Sequence, residues 1–431
     1  MRNEHTDQIK ISVVMPVHNT GKYLEEALKS VFAQSFHEFE LICVDDASDD
    51  ALTGDILKKF QGQHENMQVL KLENNAGAGE ARNWGLSLAR SEYIIFLDAD
   101  DVFADRMLEQ MYRCICINDA DVCICGFQAF YIENRKKYFM EKCFPNEYKV
   151  NDVQREEWFL GISTEPWNKL CRIQFLKDNG IYFQSLASCN DVFFSCMVMA
   201  NARKRCYVDG EPLVFYRTKV GSQISAKRNP VDLYKAVSLI NSSENKKVDR
   251  KLLLKWSGAL LLWNGIGELE KSNHEENKQR FYYLLRDFCE KHAICFQNKV
   301  LNALVENVKN RPYESNWFYK CKDFRGQLRL TADELKEKLS EKRPLYLWGL
   351  GRRGDVFQQF CKEENIRLHG VTDIMQDCIG QNTKYGNKIV SNSYVLQSGG
   401  FIIASNKRVY DYLIENKMDL NILNLETYCP I

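Results

Sequence analysis

The chain has 431 residues, 45% of them hydrophobic and 27% charged, and its 58 basic and 58 acidic side chains give a formal net charge of zero. That length supports two or three domains with sizeable cores, and the balance excludes the whole-chain basic field of a nucleic-acid binder. Met1–Lys10 is polar and lacks a signal peptide's apolar core, and no apolar run approaches the ~20 residues of a membrane helix, so the 16 cysteines are expected as reduced thiols in a cytoplasmic protein that touches a membrane at most peripherally, on its cytoplasmic face.

From residue 11 strands and helices alternate. Ile11–Val17 is a short apolar run, and Leu24, Ala27, Leu28 and Val31 follow at the i, i+3, i+4, i+7 spacing of a helix. Phe39–Val44 is a second strand running into Asp45-Asp46, followed by a polar helix over Ala51–Phe60. Val69–Leu72 is a third strand, Gly77–Leu88 a helix, and Tyr93–Leu97 a fourth strand ending in Asp98-Ala99-Asp100-Asp101. Asp105–Ile117 reads as a helix and Asp121–Phe127 as a strand. Continuous apolar strands separated by helices argue for an α/β fold with a mostly parallel sheet covered on both faces. Ligands of such sheets bind beyond the carboxyl ends of the strands, where both acidic pairs stand.

Residues 128–230 begin like a strand, turn at Glu133–Lys137, and then read as helices over Trp167–Leu176 and Asp191–Ala200. They are assigned to a first domain, 1–230, as its acceptor-facing half. Residues 231–340 are rich in Lys and Glu with helical periodicity, as at Leu252–Leu262 and Phe281–Phe288, and read as a helical linker or bundle. Residues 341–431 read as a small Rossmann-like unit. Its strand Pro344–Trp348 enters Gly349-Leu350-Gly351-Arg352-Arg353-Gly354 and a helix to about Lys362; Arg367–Val371 is followed by Asp373, and Phe401–Ala404 is a later strand. Gly349, Gly351, Gly354 and Asp373 have the arrangement of a dinucleotide site; the competing reading is a glycine-rich turn that binds nothing. Cys114, Cys116, Cys123 and Cys125 form a C-x-C…C-x-C pattern that departs from the C-x-x-C of zinc sites, and Cys123 and Cys125 on one strand face suit core packing.

The acidic motifs carry the chemistry. Cleaving a nucleoside diphosphate sugar releases a diphosphate whose charge must be stabilised, and a divalent metal held by carboxylates does this as a Lewis acid. Mn²⁺ or Mg²⁺ prefers oxygen ligands, a few from protein and the rest from phosphate and water. Asp98 and Asp100 flank one residue at a strand end, and extended backbone would put both on one side.

Four segments then stand in order: Val13–Asn19, Val44-Asp45-Asp46-Ala47-Ser48-Asp49-Asp50, Asn75-Ala76-Gly77…Ala81-Arg82-Asn83, and Phe96-Leu97-Asp98-Ala99-Asp100-Asp101. Together they resemble glycosyltransferase family 2 over roughly residues 10–220. The resemblance implies a GT-A fold, a nucleotide-sugar donor, most simply a UDP-sugar, and inversion at the anomeric centre. It implies that Pro16, Val17 and Asn19 shape the loop under the nucleoside, that Asp45 or Asp46 accepts from uracil or ribose, and that Gly77 and Arg82 lie near the base and diphosphate, where a guanidinium fork suits phosphate. Asp98 with Ala99 would contact the ribose, and Asp98 and Asp100 the metal.

An inverting transferase also needs a base for the acceptor hydroxyl. Trp167-Asn168-Lys169-Leu170 and, later, Asn190-Asp191 match the family's base segment, with Asn where a Glu usually precedes the Asp. Asp191 is therefore the candidate base, against the plain alternative of an acid at a helix start. The acceptor implied is a saccharide or lipid-linked saccharide of surface polysaccharide or cell-wall glycan synthesis. Oligomeric state is open, a homo-oligomer included. Two rivals remain: a catalytically degenerate sugar-nucleotide-binding or scaffold protein on the same fold, and a nucleotidyltransferase, for which His18-Asn19-Thr20-Gly21-Lys22 is a poor phosphate loop.

Overall fold

The computed structural model describes residues 9–134, 136–143, 153–156, 158–218, 229–243, 248–272, 274–315, 331–340, 344–349, 352–373, 379–405, 409–410, 413–414 and 422–424. The chain divides into two compact units, Met1–Leu261 with Lys271–Phe281, and Leu262–Glu270 with Tyr282–Ile431.

The first unit is built on β1 (Ile11–Val17), α1 (Leu24–Phe32), β2 (Phe39–Asp45), α2 (Ala51–Gln61), β3 (Met67–Lys71), α3 (Ala78–Leu88), β4 (Tyr93–Phe96), β5 (Val102–Phe103) and α4 (Met107–Asn118). It continues with β6 (Val122–Ile124), β7 (Phe127–Glu133), β8 (Lys136–Cys143), β9 (Lys169–Arg172), α5 (Ile173–Asp178), α6 (Val192–Asn201), β10 (Arg205–Tyr207) and β11 (Val214–Arg217). Seven strands form one sheet in the order β10-β6-β9-β4-β1-β2-β3. β1 and β2 are buried at every position, which is why they read as unbroken apolar runs. Ile11, Val13, Met15 and Val17 share one core with Leu24, Leu28 and Val31 of α1 and Ile56, Leu57 and Phe60 of α2. On the opposite face Val14 meets α3 at Gly85, where an added Cβ would stand 2.2 Å from Val14 Cγ1.

The sheet is parallel except at β9, which runs antiparallel between β4 and β6. This corrects the helix expected over Trp167–Leu176: Lys169–Arg172 is a strand, and only Ile173–Asp178 is helical. The pairings of Lys169 with Ile124 and Cys171 with Val122 override the local helical spacing, a case of tertiary pairing outweighing propensity. The strand expected over Asp121–Phe127 is likewise two strands. β6 stays in the large sheet, while β7 joins a second sheet, β5-β11-β7-β8.

In the second unit, helices α9 (Glu275–Lys291, which begins in the first unit), α10 (Lys299–Asn310) and α11 (Ala332–Ser340) precede a four-stranded sheet of β12 (Leu345–Trp348), β13 (Gly370–Thr372), β14 (Phe401–Ala404) and β15 (Ile422–Asn424). α7 (Pro230–Ser242) lies in the first unit, and α8 (Arg250–Lys271) contributes to both. α12 (Arg352–Glu363) follows β12, and α13 (Asn392–Gln397) precedes β14. The strand order is β13-β12-β14-β15, all parallel. This is a doubly wound order with its crevice between β12 and β14. Among the described residues, no helix is long and apolar enough to cross a membrane.

Candidate active site

The carboxyl ends of β1, β2 and β4 meet at a set of loops fixed by their own side chains. Asn19 adopts φ 49°, a left-handed turn that Asn tolerates. Its Oδ1 accepts from Asp49 N at 3.0 Å and Asp50 N at 3.2 Å, and its backbone N–H donates to Ser48 Oγ at 3.0 Å. The loop after β1 is thereby clipped to the loop after β2. Pro16 pairs in register with Val44, and Val17 O accepts from Asp46 N at 2.8 Å.

Asp45 and Asp46 are both buried. Asp45 Oδ1 accepts from Ser48 N at 2.8 Å, with Lys71 Nζ 3.5 Å from Oδ2. Asp46 holds the next loop with both oxygens, Oδ1 accepting from Ala76 N at 2.6 Å and Oδ2 from Gly77 N at 2.8 Å. Gly77 sits at φ 89°, ψ 157° as the residue capping α3, a region open essentially to glycine alone.

The Asp98-Ala99-Asp100-Asp101 segment is a tight turn, closed by Asp101 N donating to Asp98 O at 3.0 Å. The extended geometry expected for it is therefore replaced by a turn, which leaves Asp98 and Asp100 partly exposed while Ala99 and Asp101 are buried. Burial, and then the charges of Asp100 and Asp98, push the Asp101 carboxyl well above the usual carboxylate range. Its Oδ1 accepts from Arg217 N at 2.7 Å. Arg217 also donates from Nε to Asp100 O at 2.8 Å and from NH2 to Glu26 at 2.5 Å, and its guanidinium lies between the Tyr23 and Phe130 rings, 4.8 and 4.7 Å from their centroids. This buried arginine at the end of β11 braces the acidic turn from beneath.

Arg82 is buried on α3 and joins the expected site residue Asp98 to Asn190, the neighbour of the expected base. NH2 donates to Asp98 Oδ1 at 2.5 Å and NH1 to Asn190 Oδ1 at 2.9 Å, with the guanidinium 5.3 Å from the Phe183 ring centroid. Asn190 immediately precedes Asp191, at the start of α6. Burial pushes the Asp191 carboxyl up to about 6; the charge of Arg82 opposes this, and those of Glu165 and Asp98 add to it. Beside it, the buried Lys169 donates to Ser163 O and Glu165 O, both at 2.7 Å, and to Asn168 Oδ1 at 2.8 Å, while Ser195 Oγ donates to Thr164 O at 2.5 Å. Burial holds the Lys169 ammonium below its usual pKa. Trp167 is core, stacked with Tyr216 and edge-on to Phe127.

Asp98, Asp191, Arg82 and Asn190 therefore form one polar cluster with Glu165 at its edge. Lys169 is legible in the sequence only as a member of the matched Trp167–Leu170 segment, without a role of its own, while Arg217 has no signal in sequence because its partners Glu26, Asp100 and Asp101 lie more than a hundred residues away. Oxygen donors on Asp98 (side chain 31% exposed) and Asp100 suit a hard divalent cation. Among the described residues, the close groupings of three or more metal-ligating side chains do not include this turn. Mn²⁺ or Mg²⁺ there would take two carboxylates and complete its shell from phosphate and water.

In the second unit Gly349 has φ 109°, and a Cβ on it would meet Ser405 Oγ at 1.9 Å; a Cβ on Gly354 would meet Gly349 O at 1.9 Å. Both glycines thus permit close backbone approach at the β12/β14 crevice. Asp373 is partly buried just after β13. Gly351 lies outside the described residues.

The glycosyl transferase family 2 sequence model matches residues 12–176, the span that supplies every loop of this cluster before Asn190. The chain carries a family 2 glycosyl transferase domain. Over 129 residues it is 40% identical to the glycosyltransferase GlyG of Streptococcus pneumoniae, covering 30% of this chain and 42% of that protein. Over 238 residues it is 31% identical to the poly(ribitol-phosphate) beta-N-acetylglucosaminyltransferase TarS of Staphylococcus aureus, covering 54% of this chain and 40% of that protein. The chain thus spans about two fifths of the length of these relatives. The crystal structure of S. aureus TarS 1–349 in complex with UDP-GlcNAc superposes with a TM-score of 0.56 at 24% identity, over 70% of this chain and 87% of that one. The family 2 domain has the GT-A fold.

Proposed function

We propose that the protein is an inverting, metal-dependent glycosyltransferase that moves a sugar from a nucleotide-diphosphate donor, a UDP-sugar, to a hydroxyl of a saccharide or lipid-linked saccharide in surface polysaccharide or cell-wall glycan synthesis. The family 2 domain and the named activities of its relatives support the reaction class. The observation that carries the mechanism is Asp191, a carboxyl pushed up to about 6 and tied through Asn190 and Arg82 to Asp98.

Sugar hydroxyls are weak nucleophiles, so a base must take the proton as attack proceeds. At neutral pH Asp191 is mostly ionised, yet far more basic than an ordinary aspartate, and its oxygen receives that proton. Arg82 fixes the distance between the base and the acidic turn, so acceptor and donor meet in one geometry. The loops held by Asn19, Asp45 and Asp46 form the wall for the nucleoside. A divalent cation on Asp98 and Asp100 supplies charge neutralisation for the departing diphosphate. In the second unit Gly349, Gly354 and Asp373 border a separate candidate nucleotide crevice.

The test is a panel of nucleotide sugars, each with Mn²⁺, Mg²⁺ or chelator, on the native protein and Asp100→Ala. Metal-dependent thermal stabilisation by one donor and slow hydrolysis of that donor, both lost in Asp100→Ala, are expected. Silence toward every donor with either metal would overturn the transferase reading in favour of a degenerate binding protein.

A further inference from the structure

Three thiols from separate elements converge at the β10 edge of the seven-stranded sheet. Cys123 in β6 and Cys206 in β10 are direct partners in the parallel ladder, so both side chains leave the sheet on the same face. Both belong to the core that also holds Met111 and Ile115 of α4, and Cys114 of α4 packs against it. The three Sγ atoms all lie within 4.8 Å of one another. All three are free thiols; Cys123 and Cys206 are buried and Cys114 is partly exposed. Cys116, one helical half-turn on, is exposed and outside the group, and Cys125 is buried elsewhere in the core. The site therefore differs from the sequence pattern: two of its four cysteines drop out, and Cys206 comes in from far along the chain.

We propose that Cys114, Cys123 and Cys206 form a binding site for a single thiophilic cation, with Zn²⁺ as the type case. Soft thiolates select Zn²⁺ or Cu⁺ over the hard cations that carboxylates prefer, so this site and the acidic turn sort different metals. In a tetrahedral zinc–thiolate site with Zn–S of about 2.3 Å, neighbouring sulfurs stand about 3.8 Å apart. The cluster thus closes on the ion by a contraction of no more than about 1 Å, within the reach of side-chain rotation. Cys114 provides the route in from solvent. Its Sγ also donates to Tyr207 O at 3.2 Å, so a carbonyl adjoins one of the three sulfurs and is a candidate fourth ligand, with water as the other. Binding displaces the thiol protons to solvent, so affinity rises with pH. The bound ion would fasten α4 to the sheet edge formed by β6 and β10.

Cobalt serves as the optical probe of the reduced 431-residue chain. One equivalent of Co²⁺ is expected to give sulfur-to-cobalt charge-transfer absorption that Zn²⁺ bleaches. Cys206→Ser should weaken binding by more than the ~10–100-fold typical of losing an outer-shell partner, while Cys116→Ser and Asp100→Ala keep the band. In the native protein, Zn²⁺ should also slow alkylation of Cys114 but not of the exposed Cys116, a readout that does not depend on any variant folding. No charge-transfer band, a band that survives Cys206→Ser in a folded protein, or a band lost in Cys116→Ser overturns the proposal. So does oxidation of two of the three thiols to a disulfide without metal uptake.

Discussion

As the proposed base, Asp191 would be tuned for chemistry at a cost to stability. Its folded pKa of about 6 lies above the ordinary 3.8 because burial disfavours the charge. A base works only when ionised, so the rate should rise through about pH 6 and then level off. Asp191→Asn should lower kcat by ~10²–10⁴-fold and abolish that acid limb in pH–rate profiles. The stability effect has the opposite sense. A carboxyl whose folded pKa is raised binds its proton more tightly when folded, so the ionised form destabilises the fold above about pH 6, and this cost vanishes below 3.8. Asp191→Asn should therefore melt higher than the native protein at pH 8 and equally near pH 3. Equal melting at both pH values would mean that burial is not what raises this group.

At the scale of elements, β2 carries a charged residue at each end with opposite duties. Asp45 ends the strand at the site, while Glu40 lies buried near its start. Glu40 accepts from Ser12 Oγ at 2.7 Å, from Arg90 N at 2.9 Å, and from the Arg90 guanidinium at 2.9 and 2.7 Å. Glu40→Gln weakens the charge-assisted bonds and should cost about 1–3 kcal/mol in urea unfolding. Turnover of the folded protein should not change, because Glu40 is remote from the carboxyl end of the sheet. Elements were legible wherever burial was two-sided: β1, β2 and β4 follow from unbroken apolar runs. They were illegible where pairing decided. β9 carries helical spacing yet is held by strands on both sides, and β6 and β7 are split because β7 pairs with β8 and β11.

For the whole molecule, each of the two units contains core clusters of its own, around β1 in the first and around β12 and β14 in the second. Unfolding is then expected to depart from two-state behaviour, with the calorimetric enthalpy exceeding the van't Hoff value. Ligand linkage should stabilise only the unit that binds, so UDP with Mn²⁺ should move one transition and leave the other in place. A single transition shifted as a whole would contradict this. The candidate site could be read from the sequence as a set of acids at strand ends, because strand ends are where such sheets gather ligands. The contacts that connect those acids were not: Arg82 reaches Asn190 across 108 residues, and Arg217 reaches the Asp100 carbonyl across 117. Such distances have no local periodicity to betray them.

Within nine residues α3 and its cap hold three glycines for three different reasons, and genetics should tell them apart. Gly85 faces a side chain, Val14; Gly79 faces a backbone carbonyl, with a Cβ 2.2 Å from Gln184 O; Gly77 meets nothing within 4 Å and depends on its φ alone. In a saturation library all three should be depleted of alanine, but their suppressors should differ. Gly85→Ala should be rescued by Val14→Ala, which empties the colliding volume. Gly79→Ala should find no side-chain suppressor, because every genotype keeps the carbonyl. Gly77 should reject asparagine along with every other residue, because φ 89°, ψ 157° lies outside the left-handed helical region that asparagine tolerates, and recovery of Gly79→Ala by a distant single suppressor would refute this scheme.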